Sequence, residues 1–188
     1  MTARRLYIGG VSQSGKTTVS ARLADLLDLP HVDIDLDPVI TLIRTRRRFW
    51  RRRKFLQWRS RMILARTRGP GIIDCPYLPP LTVVRPRFGL APEQIAYFGY
   101  PEIEIDAKIA QLEADGFCNA NHLSQLDPDA LRRMLIYFRH LARRDRDQCA
   151  RLGLVFYDMS DPEARDTVQA RALDEICALL AQVNGKRD

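Results

Sequence analysis

The residues from Gly10 to Thr17 have the types and the spacing of a phosphate-binding loop. They read GVSQSGKT and match the pattern G-x-x-x-x-G-K-[ST] in full. In such a loop the glycines let consecutive backbone N–H groups point at phosphate oxygens, and the following helix adds its positive end. Lys16 would reach the β- and γ-phosphates, and the Thr17 hydroxyl would hold Mg²⁺. The pattern predicts a nucleotide site made of Gly10, Ser12, Gln13, Ser14, Gly15, Lys16, Thr17 and Thr18.

Two later apolar stretches end in acidic residues. The first runs from His31 into Asp33, Asp35 and Asp37, and alternation along a strand places Asp33 and Asp35 on the same face. The second is followed by Asp74, as expected for a carboxylate that helps to hold Mg²⁺. A structural alternative is open for each of them. Asp33 and Asp37 would cap the next helix, and Asp74 would be a turn residue before a proline.

Arginine is concentrated in two parts of the chain. Segment 44–61 is rich in arginine, with Phe49, Trp50, Phe55 and Trp58 interleaved. Basic residues mixed with aromatic ones can bind RNA through phosphate contacts and base stacking. They can equally form a solvated helix face or a partner surface. The second group lies between 132 and 146, where Arg139 and Arg143 are four residues apart and so share a helix face.

Short apolar runs alternate with helical segments along the chain. Strands are predicted at 5–10, 31–35, 71–74, 94–98 and 154–157. Helices are predicted at 16–29, across about 38–67, at 102–114, after a cap at Asp127, and after a capping box that starts at Ser160. This alternation predicts an α/β fold with a five-stranded parallel sheet and helices on both faces. Its ligand site would lie beyond the carboxyl ends of the strands.

Composition narrows the class of protein. The 188 residues are 46% hydrophobic and 28% charged, which is typical of one globular domain and excludes a disordered or collagen-like chain. The formal net charge of +7 fits either a bound polyanion or a solvated basic face. The four cysteines form no C-x-x-C pair, so a zinc site is not expected. No apolar run is long enough to span a membrane, and we expect a cytoplasmic protein that begins near Met1.

On these motifs the chain resembles the P-loop small-molecule kinases, the nucleoside-monophosphate-kinase-like group that includes shikimate, gluconate and chloramphenicol kinases. The resemblance covers most of the chain, is specific at the loop and is loose elsewhere. It implies a three-layer P-loop NTPase fold over a single domain, 1–188. In that domain 38–68 would be an acceptor-side insertion, and 119–152 would be a helical segment like the LID of these kinases. The sequence contains no N-K-x-D motif for guanine, which favours ATP.

The resemblance also implies roles for individual residues. Asp35 would be the catalytic base or the acceptor anchor, and Asp33 would lie nearer the metal with Thr17 and Asp74. Arg139 and Arg143 would stabilise the transferring phosphoryl group. The residues implied to clamp an anionic acceptor are Arg47, Arg51 and Arg85. The chain departs from the D-G-x-P-R segment of adenylate kinases, because Cys75 and Tyr77 replace its glycine and arginine. That departure weighs against a nucleoside monophosphate as the acceptor.

Three hypotheses follow from the sequence. The first is an ATP- and Mg²⁺-dependent phosphotransferase that acts on a small molecule with a hydroxyl or phosphate group. The second is a nucleotide-dependent protein that binds RNA or a partner through segment 44–61, without kinase activity. The third is a degenerate kinase fold that only binds nucleotide.

Overall fold

The chain forms one parallel sheet with helices on both of its faces. The computed structural model describes residues 5–45, 49–117 and 121–185. The strands are β1 (Arg5–Gly10), β2 (His31–Asp33), β3 (Gly71–Cys75), β4 (Ile95–Gly99) and β5 (Val155–Asp158). All of them pair in parallel, in the order β2-β3-β1-β4-β5. The predicted α/β fold with five parallel strands is confirmed.

Over the described ranges, helices follow each of the strands, and three short 3₁₀ turns lie among them. The helices are α1 (Lys16–Leu27), α2 (Pro38–Thr45), α3 (Phe49–Arg66), α4 (Pro80–Val83), α5 (Ile105–Ala114), α6 (Asn121–Ser124), α7 (Pro128–Leu152) and α8 (Arg165–Gly185). The 3₁₀ turns are Ile34–Leu36, Pro86–Phe88 and Pro92–Gln94. Within the described residues, segment 38–68, which we predict to be an acceptor-side insertion, contains α2 and α3, and segment 119–152 contains α6 and α7.

Alternate side chains of the central strands enter two separate cores. On one face Leu6 and Ile8 pack with Val19 and Leu23 of α1 and with Ile176 of α8. On the other face Tyr7, Ile73 and Tyr97 pack with Leu64 of α3 and Cys149 of α7. A sheet covered on both faces gives the three predicted layers, and it explains why β1 is buried along its whole length.

The register of the strands brings their carboxyl ends to one edge. Gly9 of β1 lies opposite Cys75 of β3, and Asp33 of β2 lies opposite Asp74. Gly10 lies opposite Phe98 of β4. The residues that follow β1, β2 and β3 therefore meet at the edge where parallel sheets bind ligands.

Three element ends test the predicted boundaries. Strand β2 stops at Asp33 rather than Asp35, because the Asp33 carboxylate accepts the Asp35 amide at 2.8 Å and turns the chain into a 3₁₀ helix. The cap at Asp127 is confirmed, since its side chain accepts the Ala130 amide at 2.8 Å. The capping box at Ser160 is wrong. Its hydroxyl accepts the distant Glu102 amide instead, and α8 begins only at Arg165.

The described part of the chain contains no helix that is long and apolar enough to cross a membrane. Three of the four cysteines lie in it, and Cys75, Cys149 and Cys177 are all free thiols.

Gly10 gives a test of this architecture. Its φ is +130°, and a Cβ atom there would lie 1.9 Å from the Phe98 carbonyl oxygen on the neighbouring strand. We expect Gly10→Ala to lower the free energy of unfolding by about 3 kcal/mol, because it adds both backbone strain and a clash with main chain. Urea unfolding measures the change. Gly69→Ala is the matched control, since nothing lies within 4 Å of its Cβ position, and an equal loss in both variants would contradict the account.

Candidate active site

The loop between β1 and α1 has a backbone that few residues other than glycine adopt readily. Gly15 directly precedes α1 with a φ of +82°, and Gln13 also has a positive φ of 63°. The Ser14 hydroxyl donates to the Val11 carbonyl at 2.9 Å, which closes the turn from inside. Because α1 begins at Lys16, its unpaired first-turn amides and positive end lie at the loop. The structure thus brings the predicted phosphate-binding residues together at one helix start.

Two residues that the sequence analysis did not single out hold this loop from outside. The Tyr100 hydroxyl donates to the Ser12 carbonyl at 2.9 Å, and Lys108 Nζ donates to the next carbonyl, that of Gln13, at 3.0 Å. Lys108 Nζ also lies 4.8 Å from the centre of the Tyr100 ring. Two successive carbonyl groups are therefore fixed on the outer side of the loop. In the sequence, neither residue has a spacing relation to the loop that would reveal the contact.

Burial makes Lys108 an unusual lysine. Only 4% of its surface is exposed. Desolvation lowers its pKa from 10.5 to about 8, and the nearby positive charge of Arg165 adds to this while Asp115 opposes it. The ammonium group therefore loses its proton more easily in the folded protein than in the unfolded chain.

A buried cation and a buried acid lie at the base of the loop. Lys16 Nζ is 3.5 Å from Asp74 Oδ1, and both side chains are almost completely buried. Burial alone lowers the pKa of Lys16, but the negative charges of Asp74, Asp35 and Asp33 outweigh it and the pKa is raised. Lys16 therefore stays protonated among three acids, as a lysine that binds phosphate must.

The same acid fits a role in holding Mg²⁺. Thr17 Oγ1 donates to Asp74 Oδ2 at 2.6 Å, while the buried Oδ1 of Asp74 accepts no hydrogen bond within the described residues. No group of three or more His, Cys, Asp or Glu side chains in that part of the chain is placed to hold a metal. Mg²⁺ in nucleotide sites needs only one or two protein oxygens, since phosphates and water complete its shell. Thr17 and Asp74 meet that requirement.

The acids after β2 have different surroundings. The Asp33 carboxylate accepts a hydrogen bond from the Asp35 amide. Burial raises the pKa of Asp33, and the negative charge of Asp74 raises it further. Asp35 accepts a hydrogen bond from the Tyr77 hydroxyl. Asp37 caps α2 through the Val39 and Ile40 amides and binds Arg59 at 2.8 Å. The structural alternative thus describes Asp37 well. Asp33 is also a cap, of the 3₁₀ turn Ile34–Leu36 and not of α2, and the negative charges of Asp33 and Asp35 both raise the pKa of Lys16.

A cavity of about 230 Å³ adjoins the loop and Asp35. Its floor comes from the segments that follow β1, β2 and β3, namely Val11, Ser12, Asp35, Pro76, Tyr77 and Leu78. Its walls come from Arg53 and Leu56 of α3 and from a longer stretch of α7. The α7 residues are Met134, Tyr137, Phe138, Leu141, Arg144 and Asp145. The cavity thus has the size for a small molecule and lies next to the loop Gly10–Thr17.

Of the predicted arginines whose side chains the structure describes, Arg85, Arg139 and Arg143 do not line the cavity. Arg139 and Arg143 share a face, as expected, and donate to the carbonyls of Ile103 and Pro101 at 3.2 and 2.7 Å. Arg85 is exposed beside a 3₁₀ turn. Arg47 lies outside the described residues, and for Arg51 in α3 only the backbone is described.

Two other arginines line the cavity instead. Arg53 donates to the Tyr137 hydroxyl. Arg144 Nε donates to the buried Asp145 at 3.0 Å. Both belong to the arginine-rich parts of the sequence, but which helix face points at the cavity depends on tertiary packing.

The pKa of Lys108 predicts a dependence of stability on pH. Between pH 8 and 10.5 the unfolded chain binds more protons at this residue than the folded protein does. The stability that wild type has relative to Lys108→Met should therefore rise with pH across this window. Urea unfolding at several pH values measures the difference. Lys54→Met removes an exposed lysine and should show no such trend. A difference that is flat or falls with rising pH would contradict the burial account.

Comparison with known proteins identifies the fold. No protein-family model and no curated protein sequence matches the chain. A gluconokinase from Sinorhizobium meliloti 1021 matches over 100% of both chains, with a TM-score of 0.61 and 16% identity. A shikimate kinase from Bacteroides thetaiotaomicron matches over 90% of this chain and 96% of its own, with a TM-score of 0.51 and 14% identity. At such identities the likeness establishes the fold alone: the chain has the three-layer α/β P-loop fold of these small-molecule kinases.

Proposed function

We propose that the protein is an ATP- and Mg²⁺-dependent phosphotransferase that acts on a small molecule with a hydroxyl or phosphate acceptor. One observation carries the proposal: the buried Lys16–Asp74 pair lies at the loop Gly10–Thr17, next to a pocket lined by residues of α3 and α7. Asp35 links the two, because it lines the pocket and its charge also raises the pKa of Lys16. The names of the two structural matches support the reaction class. We place the reaction in the cytoplasm.

The loop residues would bind and orient the triphosphate. Backbone amides at the start of α1 donate to phosphate oxygens, and protonated Lys16 draws charge from the transferring group. When bound, Mg²⁺ neutralises phosphate charge and aligns the reacting oxygens. Thr17 and Asp74 are the residues of this chain that would hold it. Tyr100 and Lys108 keep the loop in shape while the ligands exchange.

Asp35 would orient the acceptor and take its proton. Asp35 is half-buried in the 3₁₀ turn after β2, and its carboxylate accepts a hydrogen bond from the Tyr77 hydroxyl, which fixes the side chain. A positioned carboxylate lowers the cost of deprotonating a hydroxyl as that hydroxyl attacks phosphorus. On the acceptor side, Arg53 and Arg144 join Arg47, Arg51 and Arg85 as candidates, and Arg139 and Arg143 remain the candidates for charge stabilisation.

A second function has one observation in its favour. Phe55 and Trp58 of α3 are 40% and 52% exposed, and the centres of their rings lie 5.2 Å apart. Exposed aromatic rings on an arginine-rich helix suit stacking on RNA bases. The phosphotransferase is favoured because α3 also contributes Arg53 and Leu56 to the pocket wall.

Loss of Lys16 tests the reaction. We expect Lys16→Ala to lower kcat by about a hundredfold or more, because the positive charge of Lys16 stabilises the negative charge of the transition state. ADP release from Mg²⁺-ATP is measured with sugars, nucleosides and hydroxy acids as acceptors. Lys54→Ala, an exposed lysine of α3, should keep wild-type rates. Wild-type turnover in Lys16→Ala would refute the mechanism, and RNA binding without any ADP release would favour the second function.

Loss of the Asp35 carboxylate tests the base. Asp35→Asn preserves size but removes the charge, so we expect kcat to fall by about a hundredfold with little change in the Kd of Mg²⁺-ATP. Asp25→Asn alters an exposed acid of α1 and is the matched control. A wild-type kcat in Asp35→Asn would show that a residue other than Asp35 acts as the base.

A further inference from the structure

The cavity beside the phosphate loop is built mainly from apolar side chains. The apolar lining includes Leu56, Leu78, Met134, Phe138 and Leu141, together with the rings of tyrosines 77 and 137. The polar lining residues are Ser12 in the loop, Asp35 in the 3₁₀ turn after β2, Arg53 in α3, and Arg144 and Asp145 in α7. Much of the surface of a bound molecule would therefore touch hydrocarbon.

Such walls select against an acceptor with many hydroxyl groups. Each hydroxyl placed against Leu, Met or Phe loses its hydrogen bonds to water and finds no partner. An apolar body in the same place is favoured because it also leaves water. A hydrophobic pocket discriminates against one added hydroxyl by up to about a hundredfold, so several of them are rejected more strongly.

The charges of the lining limit the acceptor to one anionic group. Arg53 and Arg144 are matched in number by Asp35 and Asp145. Arg144 directs two of its nitrogens at the buried Asp145, so it is already neutralised. Arg53 is exposed at the cavity and donates to Tyr137, which leaves further N–H groups of its guanidinium for a ligand. A single carboxylate can bind there without displacing an ion pair.

On these grounds we infer that the acceptor is a small hydroxy acid with an apolar, aromatic or branched alkyl body, whose hydroxyl lies at Asp35 and whose carboxylate lies at Arg53. This inference rests on the proposed phosphotransferase function and names its substrate class. The cavity of about 230 Å³ is smaller than the pockets of drug-sized ligands, which fits a compact molecule.

Binding of matched probes tests the inference without requiring turnover. The probes are para-(hydroxymethyl)benzoate and phenyllactate as apolar hydroxy acids, benzyl alcohol as the uncharged analogue, and gluconate as the polyhydroxy acid. Titration calorimetry is done with the full chain and Mg²⁺-ADP. We expect at least one apolar hydroxy acid to bind about tenfold or more tightly than gluconate. Gluconate binding as tightly as the best apolar acid, or no binding of any apolar acid, would overturn the inference.

Variants locate the bound probe. Met134→Gln places an amide in the cavity wall at nearly constant side-chain volume, and it should weaken binding of the apolar acid by about tenfold. Leu26→Gln is the control, because Leu26 is 67% exposed on α1 and does not line the cavity. Arg53→Gln should weaken binding of the hydroxy acid but not binding of benzyl alcohol. If Met134→Gln and Leu26→Gln weakened binding of the acid equally, the acid would bind outside the cavity. The wild-type comparison decides the inference if Met134→Gln does not fold.

Turnover separates the two proposals. ADP release is measured with Mg²⁺-ATP and the probe that binds most tightly. Selective binding of an apolar hydroxy acid without phosphorylated product would overturn the phosphotransferase and leave the ligand class standing. Efficient phosphorylation of gluconate in preference to the apolar acids would overturn the ligand class and leave the phosphotransferase standing.

Discussion

The contact on which the site depends is the pair of buried charges formed by Lys16 and Asp74. Each would be costly to bury alone, and removal of either leaves the other unpaired. The pair exists because β1 and β3 are neighbours in register, so that the loop after one strand meets the acid at the end of the other. Asp33 and Asp35 add negative charge on the same side, which keeps Lys16 protonated. The sheet order thereby determines the electrostatics of the loop between β1 and α1.

The other elements around the Lys16–Asp74 pair hold the loop and line the pocket. Strand β4 supplies the carbonyl that accepts the Val11 amide, and the residues after it supply Tyr100 and Lys108, which hold the loop from outside. Residues of helices α3 and α7 line the pocket next to the strand ends. Hydrogen bonds thus hold the loop that we propose for the nucleotide, while side chains from two separate helices line the pocket that we propose for the acceptor. Such a division explains how one fold can serve many acceptors.

The sequence predicts the parts of this arrangement that depend on local spacing. The loop from Gly10 to Thr17 and the strand that contains Asp74 could be recognised because the residues of each are neighbours in the chain. Lys108 could not, since its partner Gln13 is 95 residues away. Arg139 and Arg143 show the same limit: helical spacing correctly placed them on one face, but tertiary packing turns that face to the carbonyls of Pro101 and Ile103. The neighbouring Arg144 lines the cavity instead.

In the reaction that we propose, the γ-phosphoryl group moves from ATP to a hydroxyl held beside Asp35. This transfer is tested by mass spectrometry of the products formed from ATP labelled with heavy oxygen in its γ-phosphoryl group, in the presence of an alcohol that binds the cavity. We expect a phosphate monoester of that alcohol that carries the label. Label found only in inorganic phosphate would show that water is the acceptor and would refute transfer to the alcohol.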